Sequence, residues 1–340
     1  MKLVTFSVDS MLGPQRRVGV MGVSDIVDVT SARCCFMEQY VPPAAAAAIG
    51  TAQTPPDLAE ILALGETGMQ WLSEAVGFVA GRGLASTALG ARISHRIDDV
   101  VLLAPIPAPP AMFNFNFWPG HRDATASHGM SMPAPQHGVH LGSFWKGNAA
   151  SFVGPGVALR IPSYAEEIDV ECELAAIVGV GGRDLDVAQA ERAIAGYTIF
   201  NDASVRGVQP AEMRQGRGMC KAKDFDTGNA MGPCLVTPDE AGPIDELEFA
   251  LEVNGQIWSS ARGADIRGNL PEVISFLSRG QTLLPGTVVA TGAFAGGTAF
   301  DLGRRLSPGD EVGLHISRIG VLRNVIGARE QPYAPLAMPR

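Results

Sequence analysis

Over Ile168-Asp169-Val170-Glu171-Cys172-Glu173-Leu174, apolar and acidic residues alternate without a break. A period of two is that of a β-strand whose faces meet different surroundings. It assigns Ile168, Val170, Cys172 and Leu174 to one face and Asp169, Glu171 and Glu173 to the other. Glutamates two apart on a strand point the same way, with carboxylates about 6–7 Å apart. At that separation they repel unless a cation lies between them. The run continues as Ala175-Ala176-Ile177-Val178-Gly179, uncharged and apolar, so the acids sit on a strand entering the interior. Paired carboxylates on one face of a buried strand point to an oxygen-ligated divalent cation.

A third carboxylate strengthens that reading. Asp202 ends the apolar run Tyr197–Phe200 two residues on. Three carboxylates suit Mg²⁺ or Mn²⁺, hard ions that keep positions open for an oxygen-bearing substrate. Taken singly, each acid has an ordinary alternative: a water-facing strand for the glutamates, a turn for Asp202.

Composition narrows the class. Hydrophobic residues at 46% and charged residues at 18% describe a globular interior. A net charge of −9 excludes the clustered basic surface that nucleic acid requires. Forty glycines and twenty-four prolines favour many turns and short strands. The five cysteines form no CxxC pair, and Cys34 and Cys35 are adjacent, which fits a reduced, cytoplasmic protein. The N-terminal apolar run stops at Asp9, too early for a secretory leader. No apolar run approaches the roughly 20 residues of a membrane span.

Strands are expected at Lys2–Val8, Arg17–Met21, Asp25–Val29, Asp98–Leu103, Gly154–Ile161, Ile168–Val178, Tyr197–Phe200, Thr287–Thr291, Asp310–Ile316 and Gly320–Val325. Asn254-Gly255 joins Leu247–Val253 to Gln256–Ser259 as a hairpin. Helices are expected from Pro56-Asp57, with Leu58, Ile61, Leu62, Trp71 and Leu72 inward, and at Asp186–Ala195 and Leu270–Arg279. Prolines 105, 107, 109 and 110 make the best linker. The expected organisation is an accessory domain at 1–104, a linker at 105–111, a catalytic domain at 112–330 and a tail at 331–340.

Gly179-Val180-Gly181-Gly182 follows a strand, but Asp184 stands where a dinucleotide fingerprint needs its third glycine, and an acid repels a pyrophosphate. His121, His128, His137 and His140 lack the Cys or HExxH partners of a zinc site. One of them suits a general base better. Arg214, Arg217, Lys221 and Lys223 read either as a solvated loop or as a lid for an anionic substrate. Phe113, Phe115, Phe117, Trp118 and Trp145 read either as core or as an apolar pocket wall.

Several segments, in order, resemble the fumarylacetoacetate hydrolase superfamily. They are Phe144-Trp145-Lys146, Glu171-Cys172-Glu173, Gly196 to Arg206, Lys223-Asp224-Phe225-Asp226, Gly232-Pro233, Val253-Asn254-Gly255, Leu283-Leu284-Pro285-Gly286 and Thr291-Gly292. The resemblance covers about residues 112–327. It implies a mostly β, α+β fold: a mixed β-sheet roll behind a smaller N-terminal α+β domain, usually dimeric. The implied metal is Mg²⁺, with Mn²⁺ or Ca²⁺ as alternatives, held by Glu171, Glu173 and Asp202. Lys223 and Thr291 would join His121 in catalysis. Lys146, Arg206, Gln209, Gly292, Phe117 and Trp118 would contact a small anionic substrate.

The implied reaction is C–C bond hydrolysis of a 1,3-dicarbonyl or 2-oxo acid through an enolate that metal and lysine stabilise. Decarboxylation, isomerisation or dehydration on the same platform is the alternative, and a silent metal- or anion-binding protein is the other. The chain departs from the family where His–x–x–Glu is usual: His121 is followed three residues on by Ala124, so Asp123 is the expected partner. The usual Thr-Gly-Thr is Thr291-Gly292-Ala293.

Overall fold

The computed structural model describes residues 1–121, 144–215 and 218–331. Seventeen strands dominate it. They are β1 Lys2–Val8, β2 Gln15–Met21, β3 Asp25–Asp28, β4 Ser94–Arg96, β5 Val101–Leu102, β6 Met112–Asn114, β7 Trp145–Lys146, β8 Phe152–Val153 and β9 Leu159–Ile161. Then come β10 Cys172–Val178, β11 Ile194–Asp202, β12 Asn229–Val236, β13 Glu248–Val253, β14 Gln256–Arg262, β15 Val288–Ala290, β16 Glu311–Ile316 and β17 Gly320–Arg329.

Twelve strands form one sheet in the order β4-β3-β2-β1-β12-β11-β10-β15-β6-β7, with β5 on β1 and β8 on β12. Five form a second, β14-β13-β16-β17-β9. The N-terminal strands thus continue the sheet that carries the acidic strand, through β1 beside β12 (Leu3 opposite Leu235). The division at residues 105–111 is a proposal about folding units.

The alternating strand sits where the two sheets meet. Ile168, Val170, Cys172 and Leu174 bury themselves with Phe249, Leu251, Leu314 and Leu322 of the second sheet. The far side of the long sheet is closed by helices. Leu58, Ile61, Leu62 and Leu72 cover Ala175, Ile177, Phe200 and Leu235 there, while on the near side, beyond the second sheet, Ile274 and Leu277 cover Phe113 and Val289 beside Ala176. Burial on both faces leaves every residue of β10 inaccessible.

Several elements differ from the expected ones for local reasons. The helix opened by Asp57, whose carboxylate accepts from Ala59 N and Glu60 N, ends at Ala63. A second helix starts at Glu66, because Gly65 at φ +57° breaks the run. Asp25–Val29 is strand only to Asp28, which caps the helix Val29–Met37. Residues 97–99 are a 3₁₀ turn before β5. Ile168–Glu171 is extended, but only Asp169 and Glu171 make bridges, to Ser204 and Thr298, before β10 begins at Cys172. β12 is unanticipated, since Gly232-Pro233 reads as a turn; a register shift opposite, between Tyr197 and Ile199, accommodates it. Asn254 and Gly255 both take positive φ, as the hairpin turn requires. No helix among the described residues is long and apolar enough to cross a membrane.

Candidate metal centre

β10 and β11 lie side by side with Glu173 opposite Phe200, and this register brings Glu173 near Asp202 at the end of β11. Glu171 is fixed by its backbone N–H, which donates to Asn201 Oδ1 at 3.0 Å. Oxygen atoms of Glu171, Glu173 and Asp202 lie within 4.8 Å of one another. All three residues are buried.

Two cations enter this cluster. Lys223 Nζ lies 2.7 Å from Asp202 Oδ2 and 3.1 Å from Glu171 Oε1. Arg206 reaches Asp169 at 2.6 Å and Glu171 at 2.9 Å. Four buried carboxylates therefore face two buried cations, an excess of two negative charges. Burial, then Asp202 and Glu171, push the Glu173 carboxyl well above its ordinary range. Burial also lifts Asp202 to about 6, against the pull of Lys223. Glu171 goes the other way: despite burial, Lys223 and then Arg206 hold it below the usual carboxylate range. Burial would discharge Lys223, but Asp202 and Glu171 keep its ammonium above the ordinary value.

These residues fit a hard divalent ion. The excess charge matches a dication, every donor is oxygen, and Asp202 Oδ1 is buried with no hydrogen-bond partner among the described residues. Gly292 N–H donates to Glu173 Oε2 at 3.0 Å, so the predicted Thr-Gly turn does approach the site. At φ +79°, with a Cβ placed 2.6 Å from Phe115 O, only glycine suits that position. Thr291 is buried, its hydroxyl turned onto the Gly292 carbonyl.

His121 is buried beside the same centre. Its Nδ1 lies 2.8 Å from Asp301 Oδ2, an oxygen that also accepts from Gly296 N–H at 3.0 Å. The partner is thus Asp301, 180 residues away, and sequence reasoning missed it. Asp123, the expected partner, lies outside the described residues, as do His128, His137, His140 and Arg217.

The expected substrate contacts divide. Arg206 and Gln209 come together, but Arg206 Nη1 donates to Gln209 Oε1 at 3.0 Å, and the rest of the guanidinium faces Asp169 and Glu171. They brace the ligands from within. Lys146 is exposed, 5.5 Å from the Phe113 ring. Phe117 is buried against Phe115 at 5.5 Å. Trp118 is a core residue rather than a pocket wall, packed against Phe249 and Phe294 at 5.2 and 6.0 Å. Of Arg214, Lys221 and Lys223, only Lys223 turns inward. Asn114 and Trp145 also touch the ligands. A lone amide inside the apolar run Met112–Phe115 was the available signal for the first.

Comparison with known proteins agrees with this geometry. The family described as "Fumarylacetoacetate (FAA) hydrolase C-terminal" matches residues 118–327. The bovine mitochondrial oxaloacetate tautomerase FAHD2A is 30% identical over 233 residues, 67% of this chain and 70% of that protein. The oxaloacetate tautomerase YisK of Bacillus subtilis is 30% identical over 235 residues, 68% of this chain and 75% of its own. Among solved structures, maleylpyruvate hydrolase from Sphingobium sp. SYK-6, in complex with manganese(II) ion and pyruvate, superposes with a TM-score of 0.68 at 20% identity, covering 97% of this chain and 100% of that one. Such a likeness at that identity speaks for the fold, a mostly β, α+β architecture. With the family match spanning more than half of its length, the chain belongs to the fumarylacetoacetate hydrolase family.

Proposed function

We propose that this chain is a divalent-metal enzyme acting on a small anionic 2-oxo acid, and that His121 moves a proton at the carbon beside the substrate carbonyl. The observation that carries the reading is the 2.8 Å contact of His121 Nδ1 with Asp301, next to three clustered carboxylates. Asp301 accepts the Nδ1 proton and so leaves Nε2 as the basic nitrogen. A cation held by Glu171, Glu173 and Asp202 would supply Lewis-acid polarisation of the substrate carbonyl. Lys223, kept protonated by its two carboxylates, adds fixed positive charge beside it. Keto–enol isomerisation needs nothing more, and the relatives of about 30% identity bear the name oxaloacetate tautomerase.

A second reading, C–C bond hydrolysis, has its own support. The acid absent three residues after His121 is replaced by Asp301, so a paired histidine that could take a proton from water is present. The reactions separate by isotope. With oxaloacetate and Mg²⁺ in D₂O, isomerisation accelerates enol–keto conversion with deuterium entering the carbon next to the carbonyl. His121→Ala slows this by about 10²–10⁴. A cleaved product carrying ¹⁸O from solvent assigns hydrolysis instead. Wild-type turnover in His121→Ala overturns both.

A further inference from the structure

Asn114 and Trp145 stand directly opposite one another, on β6 and on β7, the last strand of the long sheet. From that register both reach one atom. Asn114 Nδ2 donates to Asp202 Oδ2 at 2.7 Å, and Trp145 Nε1 donates to it at 3.1 Å. Lys223 Nζ lies 2.7 Å from the same oxygen. Three donors saturate Oδ2, while Oδ1 of the same buried carboxylate receives none from the described residues. A buried carboxylate oxygen without a donor is costly unless something outside the hydrogen-bond network meets it. Asn114 Nδ2 also donates to Glu173 Oε1 at 3.0 Å, so one amide sets the spacing of two acids.

We infer that Asn114 and Trp145 are positioning residues of the metal centre, fixing the Asp202 carboxylate so that Oδ1 is the oxygen offered to the cation. The β6–β7 pairing is the device: two short strands at the sheet end hold an amide and an indole N–H on one target. In metal sites, groups that orient a ligand from behind govern affinity as well as geometry. For Trp145 the N–H carries the effect, and the ring only supports it.

The inference rests on the metal-binding reading, and the experiment separates the two. Mg²⁺ and Mn²⁺ are titrated calorimetrically into the wild type, Trp145→Phe and Asn114→Leu. Trp145→Phe keeps an aromatic ring and removes the donor. Affinity is expected to fall about 10–100-fold in each variant. A wild type that binds neither ion overturns the metal reading itself. A wild type that binds, beside variants of equal affinity, overturns only the positioning role. Indole N–H resonances give the second measurement on unaltered protein, which has four tryptophans. Mg²⁺ saturation should shift the resonance that Trp145→Phe lacks; should that variant not fold, a spectrum in which no indole resonance moves overturns the inference.

Discussion

Two clusters of acids and bases span neighbouring strands of this protein, and they are built on opposite terms. On the outer face of the second sheet, Glu252 of β13 accepts from His315 Nε2 at 2.7 Å and from Arg323 Nη1 and Nη2 at 2.6 and 3.1 Å. Gly313 lies between Glu252 and Arg323 in the register, and the missing side chain lets the guanidinium cross. Arg323 is 43% and His315 28% exposed at the side chain, so water shares the charge. Around Glu173, acids outnumber cations by two, and the side chains of Lys223 and Asp202 are each 1% exposed. Arg323 also meets Glu311 at 3.2 Å, so both regions are dense in acids, yet only one is dry. Density of charge is thus a poor guide to a site; imbalance under burial is a good one.

The comparison breaks most visibly at Lys223. Lys223→Met removes a cation from a cluster already short of them, and the metal-free protein should lose about 3–5 kcal/mol of stability, with saturating Mg²⁺ restoring part of it. An unmoved thermal midpoint would mean that the acids around Lys223 are as well solvated as Glu252.

A smaller effect comes with pH. Asp202, raised to about 6, and Glu173, raised further by burial and its acidic neighbours, hold protons that the unfolded chain gives up at lower pH. Their contribution to metal-free stability is therefore present in acid and lost as pH rises through about 6. A cation needs the ionised forms, so Mg²⁺ affinity should decline below about pH 6, by up to about tenfold per pH unit for each proton displaced. Calorimetry in buffers of different ionisation enthalpy counts those protons, and an affinity that stays flat on acidification refutes the imbalance.

The smallest effect belongs to the solvated cluster. Glu252→Gln should cost less than about 1 kcal/mol in chemical denaturation and leave Mg²⁺ affinity unchanged.

The clustering of the three acids was legible because its signals are local. A period of two set the faces of the strand through Glu171 and Glu173, and an apolar run ending at Asp202 placed the third acid. Lys223 came from order along the chain, matched to the family. Asp301 gave no such signal: it meets His121 only because the turn at 296–301 folds back, with Gly296 N–H and the Thr298 hydroxyl fixing its side chain and backbone. Trp118 stayed ambiguous, since an aromatic in a pocket wall and an aromatic in the core look alike in sequence; it packs in the core. β12 was hidden for a related reason, its Gly232-Pro233 being turn chemistry placed inside a strand.

The two-faced strand through Glu173 also bears on how the chain assembles. Because β10 is enclosed on both sides, pairing with β11 one residue out of step would drive Glu173 toward Phe249 and Leu251 and bring Leu174 beside Asp202. An apolar strand of that length could slide at little cost; this one would have to bury bare carboxylates in hydrocarbon. The same acids that shape the finished centre thus act during folding as a proofreading code, rejecting every odd-numbered misalignment.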